Sequence, residues 1–430
     1  MKTDQIQKVH KDWYKLDLSA IVYPTLQRRD FSSVYRLSVL LKEDIDPEIL
    51  QRAVNLTMPR FPTYKAAIRK GVFWRYLEPN DRPGPFVQED VKNPCQPMHF
   101  KGNNRYLVRI YYYRNRIALE AHHSLGDGTG GMCVLQTLTA TYLRLKGHSE
   151  IENGGFVLDI LGIPDPGELE DAYMKYANAK VCPPRPGEKT YRVRGTKEPF
   201  YTLNIIDGIM SVSEVMRVAK SYNATITEYL NSVLLYALMQ KQESEWHWKL
   251  RPVKIAMPVN LRRFFPSRTL RNFITMIYPG IDPRLGEYTF EEIVTQVHNY
   301  MRYYLNEKLL RGDITTNAET QRNPFIRIVP LVIKDLVVRQ FYTKIQDKNS
   351  SAGLTNMGAL KVPETMKPYI ERFDIYMGQP FSTRTNCAIA SFEDILTINF
   401  ASSIAETDVE RLFFRKLVQD GIHVKIESNR

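Results

Sequence analysis

The chain lacks the residue patterns that mark disulfide-rich, zinc-binding and membrane-spanning proteins. Its 430 residues include only four cysteines, at positions 95, 133, 182 and 387, and no two of them form a CxxC pair. A disulfide scaffold needs a higher density of cysteine, and a structural zinc site needs closer spacing. No apolar run is long enough to cross a bilayer, and the mean hydropathy is −0.35. We therefore expect no metal site and no integral membrane segment.

Composition and the first residues favour a cytoplasmic globular protein. Residues 1–12 are polar and of mixed charge, unlike the apolar region of a signal peptide. Cysteines scattered in this way are typical of a reducing compartment. An apolar content of 43% over this length is enough for one large core or two ordinary ones.

The formal net charge is +12 at pH 7. Such a balance suits nucleic acid, an anionic membrane surface or an anionic co-substrate such as coenzyme A, and it also occurs on basic surfaces that bind none of these. The basic residues are spread along the chain, without a zinc-finger pattern, an aromatic RNA-binding signature or a lysine block. We therefore do not expect nucleic acid as a partner.

Two adjacent histidines end a predicted hairpin. Residues 105–113 and 117–123 have the composition of two strands, and residues 114–116 have that of the turn between them. Side chains alternate between the faces of a strand. His123 is therefore predicted to follow the more apolar face, whereas His122 lies on the opposite face.

A helix is predicted directly after this hairpin. Apolar residues recur at helical spacing from Met132 onward, and Gly147 favours a helix end because glycine adopts the left-handed conformation. Asp127 precedes the helix, between two glycines that loosen the turn. The order strand, tight loop and helix would mount an imidazole on rigid structure.

His123 is suited to general base catalysis. The pKa of an imidazole, about 6.5, lies near cellular pH, so the ring can accept a proton and return it. Asp127 could orient this ring, either directly or through an arginine that fixes the loop. The residues also allow a simpler interpretation, in which Asp127 is only a helix N-cap and His123 is a core histidine.

The string His122-His123-Ser124-Leu125-Gly126-Asp127-Gly128 resembles the His-His-x-x-x-Asp-Gly motif of an acyltransferase superfamily. That superfamily includes chloramphenicol acetyltransferase, peptide condensation domains, wax ester synthases and alcohol O-acetyltransferases. The resemblance implies that His123 is the general base and that Asp127 is structural, forming a salt bridge with an arginine. His122 and Gly128 fill the other specified positions of the motif.

Weaker similarities to the alcohol acetyltransferase-like branch extend over most of the chain. They occur in family order at residues 16–20 (LDLSA), 34–41, 46–47, 60–62, 256–262 (AMPVNLR), 272–273 and 354–358 (LTNMG). The Asp-Phe-Gly-Trp-Gly motif of the plant acyl-CoA branch is absent. The resemblance implies two similar α/β sandwich domains of the chloramphenicol acetyltransferase type, with a central channel between them.

Two segments of the chain frame this organisation. Residues 162–200 hold six prolines and predict a long irregular crossover. We therefore expect one domain at 1–165, a linker at 166–199 and a second domain at 200–430.

Residues 325–343 mix apolar and basic positions. We expect an amphipathic helix packed on the core there, in preference to one lying on a membrane surface.

Capping boxes predict the starts of four helices in the second half. The pairs with the spacing of such boxes are Ser211 with Glu214, Thr225 with Glu228, Thr289 with Glu292 and Thr407 with Glu410.

Three other interpretations of the motif are open to test. Gly126, Gly128 and Gly131 satisfy the G-x-G-x-x-G pattern of a dinucleotide-binding turn, although no parallel strand is apparent after the helix. A metal held by His122, His123 and Asp127 would need side chains from opposite strand faces. A hydrolase triad on Ser124 would lack the nucleophile elbow G-x-S-x-G.

The resemblance implies acyl transfer from acyl-CoA, with acetyl as the expected group, to a small-molecule alcohol or an amine. Candidates for donors to the oxyanion are Asn356 and Ser382. Candidates for the arginine that pairs with Asp127 are Arg109, Arg36 and Arg69. An acyl carrier protein as donor, or a non-catalytic binding module on the same fold, are the alternatives.

Overall fold

The described part of the chain forms three β-sheets with helices packed against them. The computed structural model describes residues 13–27, 31–178, 188–199, 202–245, 249–344, 349–378 and 383–430. The strands are β1 Tyr14–Lys15, β2 Val34–Leu41, β3 Ala66–Lys70, β4 Arg75–Pro79, β5 Val87–Glu89, β6 Val108–Tyr113, β7 Arg116–His122, β8 Asn204–Ser211, β9 Val253–Asn260, β10 Ile274–Ile277, β11 Gly280–Ile281, β12 Ala352–Ala359, β13 Ile370–Met377, β14 Thr385–Phe392, β15 Ile395–Ser402 and β16 Lys425–Ser428. The α-helices are α1 Tyr23–Leu26, α2 Pro47–Thr57, α3 Gly128–Leu145, α4 Ala172–Tyr176, α5 Val212–Ser221, α6 Ile226–Ser244, α7 Phe290–Tyr304, α8 Glu307–Arg322, α9 Pro324–Ile328, α10 Leu331–Lys344 and α11 Asp408–Gln419.

The first large sheet has the strand order β13-β2-β7-β6-β5. Strand β7 lies in its centre and runs antiparallel to both β2 and β6. The hairpin predicted at 105–123 is therefore confirmed, with its strands at β6 and β7. Helix α3 packs on β2 and β7, and α2 packs on α3. Every residue of β2 is buried, whereas the edge strand β5 is largely exposed.

The second large sheet has the order β10-β9-β12-β14-β15-β8-β16, with β11 paired to β9. Its helices α6, α7 and α11 form a separate apolar core with it. Helices α6 and α7 begin at Thr225 and Thr289 with complete capping boxes, as the sequence predicts. Ser211 caps α5 by accepting from Glu214 N, whereas Thr407 makes no side-chain cap on α11, so the box predicted there is wrong. Each of the two large sheets is thus packed against helices, which agrees with the predicted α/β class.

One strand of the first sheet comes from late in the chain. β13 pairs antiparallel with β2, from Ile370 opposite Leu41 to Met377 opposite Tyr35. The first large sheet therefore contains strands from both sides of the crossover that we expect at 166–199. The domain boundaries stay a prediction.

The expectation that residues 325–343 form one core-packed helix is wrong. Pro330 separates α9 from α10, because proline lacks the backbone N–H that a continuous helix needs. Most large apolar side chains of this segment are exposed. No helix in the described residues is long and apolar enough for a bilayer span.

Candidate active site

The two histidines of the motif point to different surroundings, as strand alternation predicts. His122, the last residue of β7, is fully buried, and its Nδ1 accepts a hydrogen bond of 3.2 Å from Ser124 N. Its ring meets Phe100 edge-on, with the centroids 5.4 Å apart. Burial, helped by the neighbouring His123, lowers the pKa of His122 to about 3. His122 is therefore a neutral structural residue.

His123 lies between two tyrosine rings just beyond the end of β7. Tyr23 stacks on it at a centroid distance of 4.8 Å, and Tyr35 is tilted against it at 4.6 Å. The residue is half-buried, and its backbone N–H donates to Ser33 O at 2.8 Å. Its Nδ1 is buried without a hydrogen-bond partner.

Burial keeps the His123 ring uncharged. Desolvation lowers the pKa of His123 to about 4, and the negative charge of Asp127 opposes this shift. At neutral pH the ring is therefore a proton acceptor. The same charge would stabilise an imidazolium formed during a reaction.

Asp127 uses both carboxylate oxygens to join parts of the fold. Oδ1 accepts from Thr129 N at 3.1 Å and from Gly130 N at 3.2 Å, which makes Asp127 the N-cap of α3. Oδ2 accepts from Arg262 Nη1 at 2.8 Å and from Phe273 N at 2.9 Å. The side chain thus ties the start of α3 to a loop of the second half.

The arginine that pairs with Asp127 is Arg262, so all three candidates from the sequence are wrong. Arg36 and Arg109 both bind Glu120, at 2.9 and 2.7 Å. They are also the residues opposite Glu120 on β2 and β6, and Glu120 lies on the strand face that points away from His123.

Arg69, the third candidate, lies in the small sheet β1-β4-β3, where it binds Glu78 at 2.5 Å. Arg262 follows β9 and also donates to Thr269 O at 2.9 Å and to Arg271 O at 2.5 Å. Its guanidinium therefore holds Asp127 and the loop 269–273 together.

A second contact between the halves fixes the backbone of His123. Asn272 Nδ2 donates to His123 O at 2.9 Å and to Asp17 Oδ2 at 3.0 Å. Asp17 is completely buried, and Arg271 lies 3.7 Å from it. This network joins the start of the chain, the motif and the loop after β9. Two of these segments, those of Asp17 and Asn272, occur among the weaker family similarities in the sequence.

The glycines of the motif permit close approach of backbone segments. A Cβ on Gly130 would lie 1.9 Å from Leu270 O, and one on Gly126 would lie 2.5 Å from the same oxygen. A Cβ on Gly128, the last position of the motif, would lie 3.0 Å from Met357 Sδ of β12. The first turn of α3 is therefore in contact with the second half of the chain.

The two oxyanion candidates do not gain support from the geometry. Asn356 Nδ2 donates to Thr227 Oγ1 at 2.9 Å, and its Oδ1 accepts from Gly358 N at 2.7 Å, at an irregularity in β12. Both ends of this amide are thus engaged within the fold. Ser382 lies outside the described residues. Their roles stay a prediction.

The alternative interpretations of the motif find little support. No strand parallel to β7 adjoins it in the first sheet, which a dinucleotide-binding turn requires. The described residues contain no cluster of three potential metal ligands.

The thiol of Cys133, in α3, donates to Phe156 O at 3.3 Å, and burial raises its pKa to about 12. Cys133 is therefore not an activated nucleophile.

Two surface depressions of the described residues, of 390 and 680 Å³, lie on α7 and beside α11. His123 lines neither of them. The route by which a reactant reaches its ring stays a prediction.

Comparison with known proteins assigns the fold. No family model matches the chain, and no curated protein matches it in sequence. Solved structures match over nearly the whole length. They include TRI101 from F. graminearum in complex with coenzyme A and T-2 mycotoxin, with a TM-score of 0.60, 10% identity, and coverage of 96% of this chain and 99% of the other.

Two further matches bracket the same fold. The starter condensation domain of rhizomide synthetase in complex with C8-CoA has a TM-score of 0.59 and 12% identity, over 98% of this chain and 100% of the other. TRI3, a trichothecene 15-O-acetyltransferase from Fusarium sporotrichioides, has a TM-score of 0.58 and 13% identity, over 95% and 94%. The chain has the α/β fold of these condensation and acetyltransferase proteins, which confirms the predicted fold class.

Proposed function

We propose that the protein transfers an acyl group from acyl-CoA to an alcohol, with His123 as the general base. The observation that carries the proposal is the half-buried, uncharged imidazole of His123, whose backbone and following loop are fixed by Asn272 and by the Asp127–Arg262 pair. Such fixed placement is what a positioned acid-base group requires.

In the proposed reaction, His123 Nε2 takes the proton of the acceptor hydroxyl as its oxygen attacks the thioester carbonyl carbon. The C–S bond then breaks, and the imidazolium returns the proton to the departing thiolate. The products are an ester and free coenzyme A, and no acyl-enzyme is needed. The inert surroundings of Cys133 support this direct route. The low pKa of His123 weakens it as a base, and the charge of Asp127 partly offsets that effect.

The similar structures support the class of donor. One of them holds coenzyme A and another holds the thioester C8-CoA, which supports an acyl-CoA donor for this chain. A trichothecene O-acetyltransferase among them supports an alcohol acceptor. The acetyltransferase among the matches supports acetyl as the acyl group.

A second function is favoured by the condensation domain among the matches. The same base could deprotonate an amine or an alcohol that attacks a thioester carried by an acyl carrier protein. A non-catalytic binding module on this fold is the third alternative. The presence of His123 argues against it.

The proposal is tested by thiol release from the purified full-length chain. We expect free coenzyme A to appear with acetyl-CoA or a longer acyl-CoA when a panel of alcohols is supplied. Release only with amines, or only with acyl groups on a carrier protein, would favour the condensation-type reaction. Absence of release with every donor would contradict catalysis by this chain.

Tyr23→Ala is expected to shift the pH dependence of the reaction. The base acts when neutral, so activity of the wild type falls only as the pH drops toward the His123 pKa of about 4. Removing the stacked ring admits water and should move this acidic limb upward, toward the ordinary value of about 6.5. The variant should therefore lose activity at pH 5 relative to pH 8, as kcat/KM profiles would show.

Tyr369→Ala is the matched control, because Tyr369 packs on the ring of His148 at 4.1 Å, away from the motif. Its acidic limb should coincide with that of the wild type. An unchanged limb in Tyr23→Ala would contradict the assignment of His123 as the titrating base.

A further inference from the structure

Helices α9 and α10 expose an unusual amount of apolar surface. Phe325 of α9 is 77% exposed, and Val332 and Leu336 of α10 are 81% and 62% exposed. Ile326, Ile328, Ile333 and Val337 in the same helices are also exposed. Single exposed apolar residues are common, whereas a contiguous group of them marks an interaction site.

The loop between β3 and β4 extends this surface. Val72, Phe73 and Trp74 are exposed there. Leu331 N donates to Val72 O at 2.9 Å, and Lys334 Nζ donates to Phe73 O at 3.0 Å. The loop and the two helices therefore form one surface, called here the apolar face. It consists of Val72, Phe73, Trp74, Phe325, Ile326, Ile328, Val332, Ile333, Leu336 and Val337.

Basic residues accompany the apolar face. Residues 322–340 contain four basic residues, Arg322, Arg327, Lys334 and Arg339, and a single acidic one, Asp335. Asp335 is paired with Arg75 at 2.6 Å, and Arg322 is paired with Glu319 at 3.3 Å, so the excess positive charge of this segment comes from its other three basic residues. Lys70, at the end of β3, adds an exposed cation next to the loop. The face thus combines apolar side chains with an excess of positive charge.

We propose that the apolar face docks on the surface of an anionic membrane. Helices with apolar and basic side chains lie in the headgroup region of such membranes, and tryptophan and phenylalanine are suited to that depth. Each basic residue near an anionic surface adds to the attraction. A second copy of this chain would present the same positive charge, which repels, so a lipid surface is the favoured partner.

The apolar face is joined directly to the element that covers His123. Thr25 of α1 donates from Oγ1 to Asp335 Oδ1 at 2.8 Å, and Arg339 Nε donates to Thr25 O at 2.8 Å. Tyr23, which stacks on His123, is in the same helix. Docking would therefore hold the candidate active site near the lipid, although the proposal does not depend on the reaction.

Vesicle flotation with the full-length chain tests the proposal. We expect the protein to float with vesicles of phosphatidylcholine containing about 30% phosphatidylserine, and less with phosphatidylcholine alone or at high salt. The double variant Val332→Asp/Leu336→Asp should bind at least about tenfold more weakly, because two apolar contacts become charged. Both positions are exposed, so thermal melting should be unchanged.

Leu161→Asp/Leu285→Asp is the matched control, since these leucines are 89% and 80% exposed elsewhere on the protein. It should float like the wild type. Equal flotation of both double variants, or no flotation of the wild type, would overturn the proposal. So would a wild-type dimer in gel filtration that Val332→Asp/Leu336→Asp converts to a monomer without any vesicle binding, which would assign the face to self-association.

Discussion

His123→Ala is expected to lower kcat/KM for acyl transfer by about two to four orders of magnitude, the usual effect of removing a positioned acid-base group. The ring of His123 packs against Tyr23 and Tyr35, and its Nδ1 is buried, so the fold fixes its position. Thiol release from acyl-CoA measures the loss. Circular dichroism and thermal melting of the same preparation show whether the variant is folded.

His148→Ala provides the control for this substitution. His148 is also half-buried and also packs on a tyrosine ring, that of Tyr369, but it lies beyond the far end of α3. Its replacement should leave kcat/KM within about twofold of the wild type, as for a residue outside the chemistry. A folded His123→Ala protein with near-native turnover would refute the proposed role of His123.

Arg262→Leu is expected to destabilise the fold by about 3 to 5 kcal/mol, because it leaves the carboxylate of Asp127 buried without its counter-charge. Urea unfolding measures this loss. Activity should also fall, because Arg262 fixes the loop 269–273, and Asn272 in that loop holds the backbone of His123. The expected pattern is a joint loss of stability and turnover.

Two comparisons distinguish the loss of the Asp127–Arg262 ion pair from the general effect of removing an arginine. Arg268→Leu removes a mostly exposed partner of Asp165 and should cost less than about 1 kcal/mol. Combining Arg262→Leu with Asp127→Asn should destabilise less than the sum of the single changes, since the neutral amide needs no counter-charge. Equal effects of Arg262→Leu and Arg268→Leu would show that the Asp127–Arg262 pair does not hold the site together.

The parts of the site that the sequence predicts are those set by local patterns. Strand alternation separates His122 from His123, and the run of apolar residues after Gly128 predicts α3 up to the positive-φ Gly147. Both depend only on neighbours in the chain. The capping boxes at Thr225 and Thr289 are local in the same sense.

The partners of Asp127 and His123 depend instead on long-range packing. Arg262 is 135 positions from Asp127, and nothing in the spacing selects it over nearer arginines. Tyr35 reaches His123 because β2 pairs with β7 in a register that places Tyr35 opposite Ala121. Strand alternation alone puts Glu120 on the other face, and its two arginines could have been assigned to it on that ground.

The apolar segment at 325–343 shows a further limit of pattern reading. Periodicity identifies helical positions there, but it does not show whether another element covers them. Only the packing of the whole chain shows that Val332 and Leu336 face outward.

Because β13 is far from β2 in the sequence, the first large sheet is completed late in synthesis. Until Ile370–Met377 has left the ribosome, β2 has one open edge, although all eight of its residues are buried in the finished sheet. Such an edge invites pairing with other nascent chains. The first large sheet therefore stays open at β2 until residues 370–377 have been made, and a fragment that ends before Ile370 would leave this edge unpaired.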